Sequence, residues 1–323
     1  MDSGAHEAGV DRRWIVRRLT LALLLAAVGL SLLLAVPPLR SVIRAISDMR
    51  AAWVAAAVAL ELASCVGFVA VFRLFFRSLP ARQAHQLAWT EMGAGALLPG
   101  GGVGGLAVGG WLMHLTGMSR RRIIECSSAL FFLTTASNAA AVIAAGAFLA
   151  TGLAAGPGGF LRATLPILAS CLAGAVVLAL PARARRTAAR PAGRAWITDL
   201  VEGIRDAEQA LRRPNWRLLG AVGYVGFDIA VLASTFAALG DRPPLAPLVL
   251  GYNIGYLANL LPVPGGIGVL DAGLIGTLVF YKISATDAAA AVLVYHAIAF
   301  WVPALGGLLG LTLLRAGPQT TQA

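Results

Sequence analysis

"LLPVPGGIGVLD" runs from Leu260 to Asp271, and its reading decides the fold. Two prolines and three glycines interrupt an apolar stretch that ends in a carboxylate. In a helix interior Gly is less favourable than Ala by about 1 kcal/mol and Pro by about 3 kcal/mol. A break of this kind at membrane depth leaves backbone N–H and C=O groups unpaired, at several kcal/mol each. It is tolerated only where protein buries it or where it lines a wet cavity.

The rest of the chain makes membrane depth the relevant setting. Of its 323 residues, 58% are hydrophobic and 13% charged, with a mean hydropathy of +0.78. Soluble domains carry about 25% charge, so this composition excludes an ordinary soluble fold. Spanning a hydrocarbon core takes about 20 apolar residues, and such runs recur at about 15–36, 51–76, 123–152, 160–180, 216–240 and 285–314. The net charge of +11 does not point to nucleic acid, because Arg and Lys mark the cytoplasmic side of membrane proteins. Residues 1–14 are polar and read as a disordered cytoplasmic N-terminus. The run from 15 lacks an A-x-A-like cleavage site before Pro37-Pro38 and reads as a retained helix rather than a signal peptide. Cys65, Cys126 and Cys171 have neither metal spacing nor a disulfide pattern, and read as ordinary buried or lipid-facing thiols. No metal and no cofactor is expected.

Two segments remain, about 84–116 and 245–282, and they answer to each other. The first reads "LLPGGGVGGLAVGG" from Leu97 and the second "LLPVPGGIGVLDAG" from Leu260, an offset of 163. Trp53 and Trp216 open the preceding helices at the same offset, and the polar linkers at Ser119 and Ser284 follow at 165. The chain therefore reads as two copies of one unit, residues 15–159 and 160–315, followed by a cytoplasmic tail at 316–323. The arms 84–98 and 103–115 reach only about 20 Å at 1.5 Å per residue, short of a crossing. If each pair is a re-entrant hairpin, each copy crosses three times and the second copy is inverted. Placing the basic residues on that plan puts 20 inside and 6 outside, against 16 and 10 for the best single-crossing plan. The expected fold is an all-α polytopic membrane protein. It has about six spanning helices plus two re-entrant Gly/Pro-broken hairpins in an inverted repeat. Both termini are cytoplasmic, and Arg40, Arg44 and Arg50 form an unexplained external cluster.

The second arm of each hairpin starts inside the membrane, where free N–H groups and a positive dipole end favour an anion. Paired broken helices at the midplane are how many transporters build their binding site. The alternative is that Gly and Pro merely permit tight helix packing. On these grounds Gly101, Gly102, Gly104, Pro264, Gly265, Gly266 and Gly268 are candidate backbone contacts for a substrate.

The stretch "LLPVPGGIGVLDAGLIG", followed by "AVLVYHAIAFWVPALGGLLGL", resembles the lysylphosphatidylglycerol synthase transmembrane family, the flippase-like domain; "LLPGGGVGGLAVGGWLM" resembles its first Gly-rich motif. The resemblance covers nearly the whole chain from about residue 15. It implies a link to moving lipids between leaflets. In the multiple peptide resistance factor of that family the domain precedes an aminoacyl-transferase. No such domain is expected after Arg315, so lipid aminoacylation is not implied. Some stand-alone members are tied to glycosyltransferases. Three departures stand out. Asp271 replaces the usual Glu, Tyr295-His296 stands where Tyr-Arg is common, and Gly101 to Gly105 lacks the family's Arg and Gly-Glu pair.

Ionisable residues inside spans carry default suspicion. Glu61 and Asp228 sit mid-helix in corresponding helices, as cavity-facing proton or headgroup partners or as hydrogen-bonded helix locks. Asp271 either complements a helix N-terminus or acts as a proton-linked gate. His296, beside Tyr295, is either a titrating group or a structural one. Glu91, Asn253 and Asn259 lie on the first arms, placed to line the same cavity. Glu125 and His114 read as solvated. The polar stretch 181–217 contains an amphipathic helix, read either as lying on the anionic leaflet or as an ordinary positive-inside loop.

The expected function is translocation of an amphiphilic, phosphate-bearing lipid across a cell membrane, with a phospholipid or lipid-linked substrate as partner. The alternatives are a subunit docking a separate enzyme, or a small-solute transporter. No catalytic activity and no nucleic-acid partner is expected, and an oligomer is compatible with the sequence.

Overall fold

The computed structural model describes residues 37–98, 102–187, 195–213, 215–257 and 268–316. The expected first helix at 15–36 and the tip of the second hairpin lie outside them.

The described residues form eleven α-helices in chain order: α1 (Pro37–Ser47), α2 (Ala51–Phe75), α3 (Ala81–Leu97), α4 (Gly102–Leu115), α5 (Arg120–Ala150), α6 (Leu165–Thr187), α7 (Ala195–Arg212), α8 (Leu219–Leu239), α9 (Leu245–Tyr256), α10 (Val269–Phe280) and α11 (Ala285–Ala316). Among the described residues, five stretches are long and apolar enough to cross a membrane: Ala51–Phe75, Arg120–Ala150, Phe160–Ala179, Trp216–Leu239 and Ala285–Ala316. Large apolar side chains such as Val66, Leu172 and Trp301 are exposed on their outer faces, as lipid solvent requires. The chain is a polytopic α-helical membrane protein. The two broken segments form helix pairs, α3–α4 and α9–α10, near the expected bounds. The amphipathic stretch starts later than 181, because α6 runs on to Thr187.

Helix contacts come in pairs under exchange of the two halves. Helix α2 packs on α8. The arm α3 packs on α11, and its counterpart α9 packs on α5. Each broken pair therefore leans on the last long helix of the other half. Backbone proximity makes these seams. A Cβ at Gly67 would lie 2.8 Å from the Gly220 carbonyl oxygen, and one at Gly93 would lie 2.7 Å from the Gly307 Cα. Small residues at such crossings are how membrane helices associate without a hydrophobic drive between them.

The arginines opposite the basic-rich end have structural work. Arg50 donates from Nη2 to the Ala237 carbonyl at 2.6 Å and from its backbone N–H to Ala238 at 3.0 Å, closing the C-terminus of α8. Arg162 donates from Nε to the Phe280 carbonyl at 3.0 Å, at the C-terminus of α10. A cation at a helix C-terminus satisfies orphan carbonyls and complements the dipole. The unexplained external cluster is thus partly accounted for by Arg50.

One sequence expectation is corrected, and one of the two readings of the amphipathic stretch falls. Glu125 is not simply solvated: it is 8% exposed and accepts from Arg121 Nε at 2.7 Å and Arg122 Nη1 at 3.3 Å. The apolar face of α7 is not spread on a leaflet. Val201, Ile204 and Ala207 are buried, and a Cβ at Gly203 would clash with the Glu125 carbonyl. Helix α7 covers the start of α5, and that cover buries Glu125. His114 is exposed, as expected. Cys65 and Cys126 are buried and Cys171 is exposed, all as free thiols.

Candidate functional site

A cavity of about 300 Å³ lies between α2, α3, α4, α5, α8, α9 and α11. Three carboxylates line it, Glu61 from α2, Glu91 from α3 and Asp228 from α8. No Lys, Arg or His lines it among the described residues. Glu61 and Glu91 are each 5% exposed, and Oε2 of each finds no hydrogen-bond partner among the described residues. Leaving a buried acceptor unpaired costs about 1–3 kcal/mol, and more when it is charged. Protonation, or a donor beyond the described residues, satisfies these two oxygens. Local sequence explains how Glu91 comes to face inward. The paired arm brings Gly105 and Gly109 against it, and a side chain at Gly109 would displace the Glu91 carboxylate.

The chamber also takes the start of α4, with Gly102, Gly105 and Leu106 among its walls. The first N–H groups of a helix have no partner within the helix, so the start of α4 carries donors. Pro303 lies inside the continuous α11 and has no N–H to give the Ala299 carbonyl; both residues line the chamber. On the α5 side the lining includes Thr134, Asn138 and two exposed residues, Phe131 and Thr135. Among the described residues, the chamber's α5 wall is thus partly exposed.

Asp228 serves two ends. Its carboxylate accepts from the Tyr252 hydroxyl and, at 2.9 Å, from the Tyr295 hydroxyl. This ties α8 to α9 and α11 while the same side chain lines the chamber. The helix lock read for Asp228 is present, and the side chain also lines the chamber.

A second pair stands apart. His296 Nδ1 lies 2.5 Å from Asp271 Oδ1, and Asp271 Oδ2 accepts from the Gly268 N–H at 2.9 Å. Gly268 has φ +82°, a backbone state that favours Gly. The N-terminal complement expected of Asp271 is present, with His296 as an added partner from α11. A double-mutant cycle of Asp271→Asn and His296→Gln, read by thermal unfolding, is expected to give a coupling of about 0.5–3 kcal/mol; additive effects would contradict the pair.

Of the sequence candidates, the structure brings Glu61, Gly102 and Asp228 to the chamber and joins Tyr295 through Asp228. Asp271 and His296 form their own pair, and neither they nor Gly104 are among the lining residues. Gly101, Asn259, Pro264, Gly265 and Gly266 lie outside the described residues. Asn253 does not line the chamber; its Nδ2 donates to the Val249 carbonyl one turn back at 2.8 Å. Sequence reasoning missed Tyr224, Tyr256, Thr134 and Asn138. The only advance signal was the Tyr252/Tyr256 spacing on a broken arm.

Broken helix pairs packed within a bundle of long apolar helices, beside an acid-lined chamber, mark a polytopic α-helical membrane protein. The chain belongs to the family described as lysylphosphatidylglycerol synthase TM region, whose model matches residues 19–307. A UPF0104 membrane protein of Methanothermobacter thermautotrophicus is 33% identical over 90 residues, 28% of this chain and 26% of that relative. The match thus spans about a quarter of the relative's length.

Proposed function

We propose that the protein moves an amphiphilic, phosphate-bearing lipid between the leaflets of a cell membrane, with the chamber as its headgroup site. The supporting observation is the chamber's two poles. The start of α4 offers N–H donors to a phosphate, and Glu61, Glu91 and Asp228 face it with negative charge or acceptor oxygens. A headgroup that is only anionic is repelled by ionised carboxylates in a low-dielectric setting. A headgroup with an ammonium beside its phosphate matches both poles. The exposed α5 wall at Phe131 and Thr135 suits a substrate whose acyl chains stay in the bilayer. A docking subunit has no need of such a chamber, and a small-solute carrier has no need of an exposed side wall.

A photoreactive benzoylphenylalanine at Leu106, irradiated in cell membranes, tests the headgroup site. The expected result is an adduct enriched in amine-bearing phospholipid relative to the same probe at exposed Trp111 on the same helix. Equal lipid profiles at both positions would count against the chamber as a site.

The inverted arrangement and the cytoplasmic termini belong to the same proposal. They rest on the 20 to 6 division of basic residues and on the paired contacts of the two halves. Arg190→Cys and Pro318→Cys, in a background lacking the native cysteines, should resist an impermeant thiol reagent in intact cells. Labelling of either refutes this orientation.

A further inference from the structure

A second cavity, of about 340 Å³, lies at the Arg-rich end of the bundle, between the C-terminal end of α2, the start of α5 and the last turns of α7. Its polar lining is Arg77, Arg122, Arg213, Asp206, Gln209 and Asn215. The charges do not cancel. Arg122 is neutralised by Glu125 at 3.3 Å and Asp206 at 3.5 Å. Arg77 is held by Nε donating to the Leu74 carbonyl at 2.8 Å, which fixes the guanidinium and leaves its charge uncompensated among the described residues. Arg213 likewise has no acidic partner among them. Asn215 accepts the Arg217 N–H on Oδ1 at 3.0 Å, which leaves its amide nitrogen as a donor. The cleft therefore offers two uncompensated guanidinium groups and neutral donors above an apolar floor of Leu74 and Phe75. Guanidinium groups match the oxygens of phosphate in charge and in fork geometry.

Its placement relative to the acid chamber gives it meaning. The same two helices frame both. On α2, Phe68 lines the chamber and Leu74 lines the cleft; on α5, Leu130 lines the chamber and Arg122 the cleft. At 1.5 Å per residue the two are separated by roughly 10 Å along those helices. The intervening space is filled: Phe72 stacks on Phe76 at 4.3 Å, both buried, and Cys126 Sγ donates to the Phe75 carbonyl at 3.3 Å. Helix α7 builds one wall of the cleft, supplying Asp206, Gln209 and Arg213, which gives its docked position a purpose.

We infer that this cleft is a phosphate-binding site, holding the phosphate of an anionic group at the Arg-rich face in line with the acid chamber. Basic clefts at the cytoplasmic ends of membrane helices suit anionic headgroups. The site stands on its own geometry, whether or not the chamber translocates lipid.

The test is native mass spectrometry of the purified full-length protein in detergent, titrated with dioctanoyl phosphatidic acid and with dioctanoylglycerol, which lacks the phosphate. Wild type should bind the phosphatidic acid and not the neutral lipid. Arg77→Gln with Arg213→Gln should weaken that binding at least about tenfold, as loss of charge-assisted contacts implies. Arg212→Gln, one residue away and outside the lining, should bind as wild type. Both cleft arginines are exposed, so their removal leaves the core intact; Arg213→Lys, which keeps the charge but not the fork, should bind between wild type and the double variant. Displacement by excess inorganic phosphate would assign the site to phosphate itself, and resistance to it would assign the site to a lipid phosphate. Binding by the double variant equal to wild type, or equal binding of the neutral lipid, overturns the inference.

Discussion

Gly67→Val should leave little correctly folded protein. A Cβ at this position meets the Gly220 carbonyl oxygen and the Tyr224 N–H nitrogen, both at 2.8 Å. Neither is a side-chain tip that can swing aside, so α2 and α8 must part. Overpacking a tight core costs about 1–3 kcal/mol, and opposed backbone puts this site at the upper end. The seam carries more than its own contacts. Ser64 Oγ donates to the Tyr224 carbonyl across it at 2.8 Å, and Glu61 and Asp228 face the chamber from its two sides. The expected readout is a loss of monodisperse protein, or a fall in melting temperature of about 5–10 °C. Gly226→Val on α8 is the control, since nothing lies within 4 Å of its would-be Cβ. Equal behaviour of the two variants would contradict the seam.

Asp228→Ala should be nearly as damaging for a different reason. It strips the acceptor from two buried hydroxyls, those of Tyr252 (5% exposed) and Tyr295 (1% exposed). Each orphaned buried donor costs about 1–3 kcal/mol. Asp228→Asn keeps one acceptor oxygen and should fall between wild type and Ala. Tyr252→Phe and Tyr295→Phe each remove only one bond and should cost about 0.5–1.5 kcal/mol. Thermal unfolding of the four variants checks the order. If Asp228→Ala unfolds with wild type, the network is not holding α8 to α9 and α11.

The hairpins were legible because Gly and Pro act locally. Runs of Pro and Gly such as Pro99 to Gly101, or Pro262 to Gly266, disfavour a continuous helix by about 1 kcal/mol per Gly and about 3 kcal/mol per Pro, and the arm lengths then follow from spacing. Arg50 and Arg162 were not legible as caps, because each acceptor lies more than a hundred residues away. Glu125 looked solvated for the same reason: what covers it is α7, some seventy residues on. The site was half legible. A carboxylate in an apolar run is conspicuous, so Glu61 and Asp228 stood out. Tyr295 stood out only through the family resemblance, and its pairing with Asp228, like that of Tyr252, is revealed only by packing. Glu91 was placed on its arm correctly, but the room for its carboxylate depends on Gly109 across the hairpin.

The central claim is that the acid-lined chamber carries a headgroup from one leaflet to the other. The most direct measurement is a leaflet-exchange assay in proteoliposomes, using a phospholipid with a fluorescent acyl chain and an amine-bearing headgroup, bleached by a reductant that cannot cross the bilayer. The account predicts that vesicles carrying wild-type protein bleach in both leaflets, while empty vesicles bleach only outside. It predicts that Glu61→Gln with Glu91→Gln slows the inner-leaflet loss and that Gly226→Val does not. Wild-type vesicles that bleach like empty ones, across amine-bearing, neutral and anionic phospholipids, would contradict it.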